Sequence, residues 1–390
     1  MIRDPTPAPS PADPALRPVV AGLVALAVAM GIGRFAFTPL MPLMIRDGSL
    51  DAATGAEWAA ANYVGYLVGA LSAAWFSDDP RRGLRLGLVG VAGTTLAMAG
   101  LDAVPGPLPG AGLRAAAGVF SAWALVCASG WCLAELARHR AEARGAWIYV
   151  GVGLGIALAG LLAWLGGRQP ADRLWLELGL IAATGAWLVW GFSRGASGAG
   201  DAPPAAAAPA ERRGGQAALV VCYGAFGFGY IVPATFLPAM ARALTPDPLV
   251  FGLAWPLFGL AAALSVAGVA RWLPQTPRRR VWAVAQGVMA LGTALPLMVP
   301  SLWTVAASAL LVGGTFMVAT MAGLQLARAA HPADPTPLIA RMTAAFAAGQ
   351  IAGPLTVRAL GPPDGDALAW TGAAATVVLV GTAAWLWREA

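Results

Sequence analysis

Residues 31–44 read Gly31-Ile-Gly-Arg-Phe-Ala-Phe-Thr-Pro-Leu-Met-Pro-Leu-Met44, and residues 227–240 read Gly227-Phe-Gly-Tyr-Ile-Val-Pro-Ala-Thr-Phe-Leu-Pro-Ala-Met240. Gly31-x-Gly33 and Pro42-x-Met44 return 196 positions later as Gly227-x-Gly229 and Pro238-x-Met240. At an offset of 194, Gly65, Pro80, Arg85 and Gly155 meet Gly259, Pro274, Arg279 and Gly349. In a chain with 49 Gly and 31 Pro any single match is easy, so the weight lies in their shared order. That order makes one half of the chain a diverged copy of the other.

The quoted stretches sit in apolar surroundings. The chain of 390 residues is 58% hydrophobic and 11% charged, a balance that belongs in a bilayer and not in a dissolved globule. Apolar runs of about 20 residues, the length of a bilayer span, occur at 18–45, 54–76, 84–104, 111–136, 145–166, 173–193, 215–243, 247–270, 281–300, 302–327, 338–360 and 367–387. Backbone groups in lipid must bond within their own segment, so each run is expected to be a helix despite its Gly and Pro. The expected fold is an all-α integral membrane protein of twelve transmembrane helices in two pseudo-symmetric six-helix bundles. Its parts are a disordered tail at 1–17, a bundle at 18–193, a linker at 194–214 and a bundle at 215–390. The linker is rich in Gly, Pro and Ala. Six helices, a linker and six similar helices of the same orientation make parallel repeats, the arrangement of the two halves of major facilitator transporters.

Charge placement gives the orientation. All 25 basic residues are Arg, and there is no Lys for a Schiff base or a phosphate loop. With the N-terminus inside, the inner segments hold Arg3, Arg17, Arg81, Arg82, Arg85, Arg138, Arg140, Arg144, Arg194, Arg212, Arg213, Arg271, Arg278, Arg279, Arg280, Arg328, Arg341 and Arg388. The outer segments hold Arg46, Arg168, Arg173, Arg242 and Arg358. This asymmetry puts both termini and residue 205 in the cytoplasm and residue 106 outside. It also explains the net charge of +6 without nucleic acid. Residues 1–16 lack the basic start and short apolar core of a cleaved signal. His139 and His331 fall between spans, and Cys127, Cys132 and Cys222 lie inside spans without metal-ligand spacing, so neither metal nor cofactor is expected.

The runs Gly31 to Met44, Ala61-Asn-Tyr-Val-Gly-Tyr-Leu-Val-Gly-Ala70, Trp255-Pro-Leu-Phe-Gly259 and Gly349-Gln-Ile-Ala-Gly-Pro354 resemble the YbfB/YjiJ-like branch of the major facilitator superfamily. The resemblance covers the chain from about residue 18. It implies a twelve-helix carrier of the bacterial inner membrane, working by alternating access on a small molecule. The superfamily's signature between helices 2 and 3 is present in part. Asp78 and Asp79 precede Arg81, Arg82 and Arg85 with the usual spacing broken, which implies a cytoplasmic charge latch of altered geometry. Arg114-x-x-x-Gly118 matches the helix-4 signature.

Arg34 is the most informative single residue. It lies about 24 Å along its helix from Pro18 at 1.5 Å per residue, and a charge there costs roughly 2.5–3.5 kcal/mol unless it faces protein or water. It reads either as a counter-charge for an anion or a gating carboxylate, or as a cap for carbonyls freed by Pro39 and Pro42. Thr38 and Met41 follow at i+4 and i+7 on its face. Tyr230 takes the place of Arg34 in the second copy, so the two walls of a central site would differ chemically. Asn62, Tyr66 and Gly69 share a face, and Asn62 is either interhelical glue or a ligand. Gln350 raises the same question, being off the Gly349/Gly353 stripe. Candidate substrate contacts are therefore Arg34, Thr38, Asn62, Tyr66, Arg114, Tyr230 and Gln350. Asp78, Arg81, Arg82, Gly151, Gly155, Gly349 and Gly353 are candidates for gating or close packing, the glycines by their four-residue spacing.

Acidic residues are scarce where proton relays need them: Glu57, Asp102, Asp172 and Glu177 fall near outer ends, and Glu135 and Glu142 near the cytoplasm. A membrane enzyme would need His or carboxylates clustered at one depth, and none is visible. The expected function is a monomeric secondary transporter of a small, anionic molecule, with the lipid bilayer as its other partner. The rival readings are a drug-type exporter of the same fold and a membrane sensor or scaffold.

Overall fold

The computed structural model describes residues 13–101, 106–194, 213–244, 248–360 and 366–389. Most of the expected tail and linker lies outside these residues, as does Asp102. Twelve long helices fill the described chain: α1 Leu16–Arg46, α2 Ala52–Ser72, α3 Pro80–Met98, α4 Pro107–Arg138, α5 Trp147–Leu165 and α6 Ala171–Phe192. The second set is α7 Arg213–Leu244, α8 Pro248–Trp272, α9 Arg278–Met298, α10 Leu302–Ala330, α11 Thr336–Leu360 and α12 Asp366–Arg388. Helix α1 takes in Leu16 and Arg17 from the expected tail, and α7 begins at Arg213 inside the expected linker.

Nine of the twelve are long and apolar enough to cross a membrane by themselves. The more polar three, α2, α3 and α11, carry Asn62, an arginine-rich first turn, and Gln350, respectively. Their polar groups are tolerated because Asn62 and Gln350 are each 1% exposed and bonded inside the bundle.

Helix starts follow local chemistry. The Asp51 carboxylate accepts from the amides of Ala53 and Thr54 at 2.9 and 3.0 Å, capping α2, and the Thr54 hydroxyl and these bonds hold its pKa below the usual value. Asp79 caps α3 through the Arg82 amide at 3.2 Å, with Pro80 in the first turn. Ser301 and Thr304 form a reciprocal capping pair at α10.

The main helix pairs that pack in the first set recur in the second. Contacts α1–α4, α1–α5, α1–α6, α2–α4, α3–α4 and α3–α6 have counterparts α7–α10, α7–α11, α7–α12, α8–α10, α9–α10 and α9–α12. The recurrence reaches single residues. A Cβ on Gly31 would lie 2.3 Å from Gly155 Cα, and one on Gly349 would lie 3.1 Å from the Gly227 carbonyl carbon. Likewise the Arg85 guanidinium sits 5.1 Å from the Trp190 ring centre and that of Arg279 sits 5.8 Å from Trp385.

The glycine stripes pack helices within each half. A Cβ at Gly151 or Gly155 would strike the Leu23 or Ala27 carbonyl of α1, and at Gly349 or Gly353 the Gly224 carbonyl or the Ile231 side chain of α7. The close seam between the halves lies elsewhere, along α5 and α8. There a Cβ on Gly153 would be 2.4 Å from the Ala263 nitrogen, and one on Gly259 would be 2.3 Å from the Ala157 nitrogen. Gly160 meets Pro256 on the same line. The second contact between halves is α2 with α11, continued by the short turn Ala73–Phe76 at the C-terminal end of α2.

Candidate functional site

Helix α1 is not uniform. Between its α-helical parts, Leu16–Leu26 and Phe37–Arg46, residues Ala27–Phe35 wind as a π-helix. Gly31 and Gly33 permit this by letting α5 and the Val91 and Ser121 side chains approach the widened turn. Close to where the π-helix ends, Arg114 of α4 reaches the backbone of α1. Its Nη1 donates to the Gly33 carbonyl at 3.2 Å and its Nη2 to the Arg34 carbonyl at 3.1 Å. Arg114 is 3% exposed, with its guanidinium 4.7 Å from the Phe37 ring centre. Backbone carbonyls of α1 are thus held not by Arg34 but by Arg114, through both of its terminal nitrogens. Asn62 stands behind it, donating Nδ2 to the Arg114 carbonyl at 2.9 Å, so Asn62 acts as interhelical glue.

Arg34, 3% exposed, points between the halves. Its Nη2 donates to Gln350 Oε1 on α11, a bond linking positions 316 apart in sequence. The guanidinium lies 3.7 Å from the Tyr66 ring centre and 5.5 and 5.7 Å from those of Tyr63 and Phe35. Ring faces offset part of the cost of a buried cation. Among the described residues, Arg34 Nε and Nη1 find no hydrogen-bond partner, nor do Gln350 Nε2 and Trp255 Nε1. The ion pairs among the described residues, Arg46–Asp47, Arg138–Glu135, His139–Glu135 and Arg144–Asp13, all lie at helix ends, and none includes Arg34.

Facing Arg34 from the second half is a chain of rings. Phe35 meets Trp255 at 6.5 Å and Phe316 at 6.2 Å, Trp255 stacks on Phe258 at 5.3 Å, and Tyr230 stacks on Phe316 at 5.0 Å. Arg34, Tyr66, Gln350 and Tyr230 are thus brought to one region. Thr38 is not: it is exposed and stands apart from the buried cluster, because four residues no longer complete a turn where π winding gives way to α. Met41 packs instead against Gly55 of α2. Sequence reasoning missed Tyr63, Phe35, Trp255 and Phe316, although Phe35, Tyr63 and Trp255 sit in the quoted family runs.

At the arginine-rich end, Asp79 is committed to its helix cap and Arg85 to Ser193 of its own half, through Nε and Nη2 at 2.9 Å each. Asp78 and Arg82 are exposed beside them and Arg81 is half-buried. Glu57 is exposed, and no cluster of three metal-ligating side chains occurs among the described residues.

Two sets of six helices, packed alike and joined around a buried cation, define a multi-pass membrane transporter of the major facilitator fold. The chain belongs to the family described as uncharacterised MFS-type transporter YbfB, whose model matches residues 26–386. Among solved structures it is similar to the human organic anion transporter MFSD10 (TETRAN). The identity is 16%, with 98% of this chain and 99% of that one covered and a TM-score of 0.67, a likeness of fold. No curated protein sequence matches the chain.

Proposed function

We propose that this protein is a secondary transporter of the bacterial inner membrane that carries a small anionic molecule between its two six-helix halves, 18–193 and 215–390, by alternating access. The observation that carries the reading is the set of buried N–H groups at Arg34, Gln350 and Trp255 that find no acceptor among the described residues. Leaving such donors unpaired costs about 1–3 kcal/mol each, more when charged. A carboxylate or phosphate oxygen would satisfy them. A cation between low-dielectric walls also draws anions from water. Tyr66 and Tyr63 hold the guanidinium, and the Gln350 bond ties it to the second half. Tyr230 and Phe316 line the other wall. The human protein of similar fold is an organic anion transporter, which is consistent with this chemistry.

The test is an untargeted comparison of metabolite uptake and release in cells with and without the protein. A change confined to carboxylate- or phosphate-bearing compounds is expected. A change confined to cations or neutral compounds overturns the anionic reading, and no change at all, with a partner protein copurifying, favours a sensor.

Both termini inside the cell is the orientation that the arginine asymmetry supports. Because Cys127, Cys132 and Cys222 are buried, single cysteines can be read against a low background. Gln275→Cys, between α8 and α9, should resist an impermeant thiol reagent in intact cells, whereas Leu108→Cys, 81% exposed at the start of α4, should react. The reverse pattern would invert the topology.

A further inference from the structure

A groove of about 870 Å³ runs between α3 and α6 on the outer surface of the first half, away from Arg34 and Gln350. Its floor is small and apolar, formed by Ala92, Gly93, Ala183 and Ala186, and its rims are Val89, Leu96 and Trp187. Val89 is 52% and Trp187 73% exposed, so the groove opens sideways, where the acyl chains of a bilayer lie. A Cβ on Gly93 or Gly191 would meet nothing within 4 Å, so the groove is open space and not a seam.

One end is cationic. Arg17 from the first turn of α1 and Arg194 just past α6 line it. No acidic side chain is among the lining residues, and neither arginine has a carboxylate partner among the described residues. Arg85 stands beside them, fixed by Ser193, itself 1% exposed, so that Arg85 and Arg194 lie 5.1 and 5.9 Å from the Trp190 ring centre. Tryptophan with arginine at a helix end is the composition of the membrane–water interface. From Arg85 to Leu96 is about 16 Å along α3 at 1.5 Å per residue, within the reach of an acyl chain.

We propose that this groove binds one anionic phospholipid from the surrounding bilayer, with its phosphate held by Arg17 and Arg194 and an acyl chain laid across Gly93. A soluble anion would use the arginines and leave the apolar floor unused; a neutral lipid would use the floor and leave two cations unpaired. Only a molecule with a phosphate at one end and a long chain behind it matches both parts, and basic pockets between membrane helices take such headgroups.

Native mass spectrometry of the full-length protein, released from micelles doped with equal phosphatidylglycerol and phosphatidylcholine, reads this directly. One phosphatidylglycerol should be retained in preference. The double variant Arg17→Gln, Arg194→Gln should lose that preference by about 10-fold or more. Gly93→Leu, which fills the groove without touching neighbouring atoms at its first side-chain carbon, should reduce retention with an unchanged melting temperature in lipid-free detergent. Equal retention of both lipids, or unaltered phosphatidylglycerol binding in Gly93→Leu, overturns the proposal. So does protection against melting by inorganic phosphate equal to that by phosphatidylglycerol, which would mark a soluble-anion site. Should the arginine double variant not fold, the Gly93→Leu and lipid-competition results decide.

Discussion

Replacing Arg34 with glutamine is expected to abolish transport of the anion identified by metabolite comparison, while the protein still inserts and runs as a single species in detergent. A ligand oxygen held by Arg34 Nε and Nη1 would gain charge-assisted bonds of about 1.5–3 kcal/mol each, so their loss corresponds to roughly two orders of magnitude or more in apparent affinity. Arg34→Lys keeps the charge but not the planar fork that places one nitrogen on Gln350 and leaves the others to a ligand, so it should restore transport only in part. Radiolabelled uptake into proteoliposomes provides the measurement. Full activity of the Gln variant would remove the anion reading, since both terminal nitrogens of Arg114, the other buried arginine among the described residues, already donate to backbone, to the Gly33 and Arg34 carbonyls.

The second large effect is expected at the seam between halves. Gly153→Ala and Gly259→Ala each add one carbon, but that carbon falls 2.4 Å from the Ala263 nitrogen and 2.3 Å from the Ala157 nitrogen, respectively. These neighbours are backbone and have no rotamer to yield, so α5 and α8 must separate. Overpacking of this kind costs about 1–3 kcal/mol, and the displacement also loosens the distance between Arg34 and its partner on α11. A clear fall in melting temperature and in transport should follow. Gly287→Ala and Gly381→Ala, whose added carbons meet nothing within 4 Å, serve as controls and should stay within about 0.5 kcal/mol of the parent. Equal melting of the seam and control variants would mean that the halves are not held there.

Hydrophobic run length made the helices legible, and the ordered echo of Gly31, Gly65 and Gly155 in Gly227, Gly259 and Gly349 made the repeat legible. Arg34 stood out for a simple reason: an isolated charge in a span has few benign explanations. What the residues did not reveal was partnership. Gln350 is 316 positions away from Arg34, and nothing local to either names the other. The two faces of Gly151-x-Gly153-x-Gly155 were equally invisible, since spacing shows that backbones approach but not whose. Gly151 and Gly155 meet α1, and Gly153 between them meets the other half. The bonds of Arg114 to the Gly33 and Arg34 carbonyls were equally hidden, because the π-helical stretch beside them has no composition signal. The same stretch carried Thr38 off the face that an α-helical count assigned to it.

That stretch also makes chain length a functional quantity. A π turn absorbs a residue that an α turn would not, and the equivalent part of α7, around Tyr230, is α-helical throughout. Removing one residue between Ala27 and Gly31 would let the ladder close in ordinary α register without altering a single side chain of the site. The carbonyls of Gly33 and Arg34 would then shift away from Arg114, leaving a guanidinium 3% exposed on another helix without its acceptors. The damage of a deletion in α1 would be felt in α4, and this segment should tolerate exchange of one apolar residue for another far better than any change in their number.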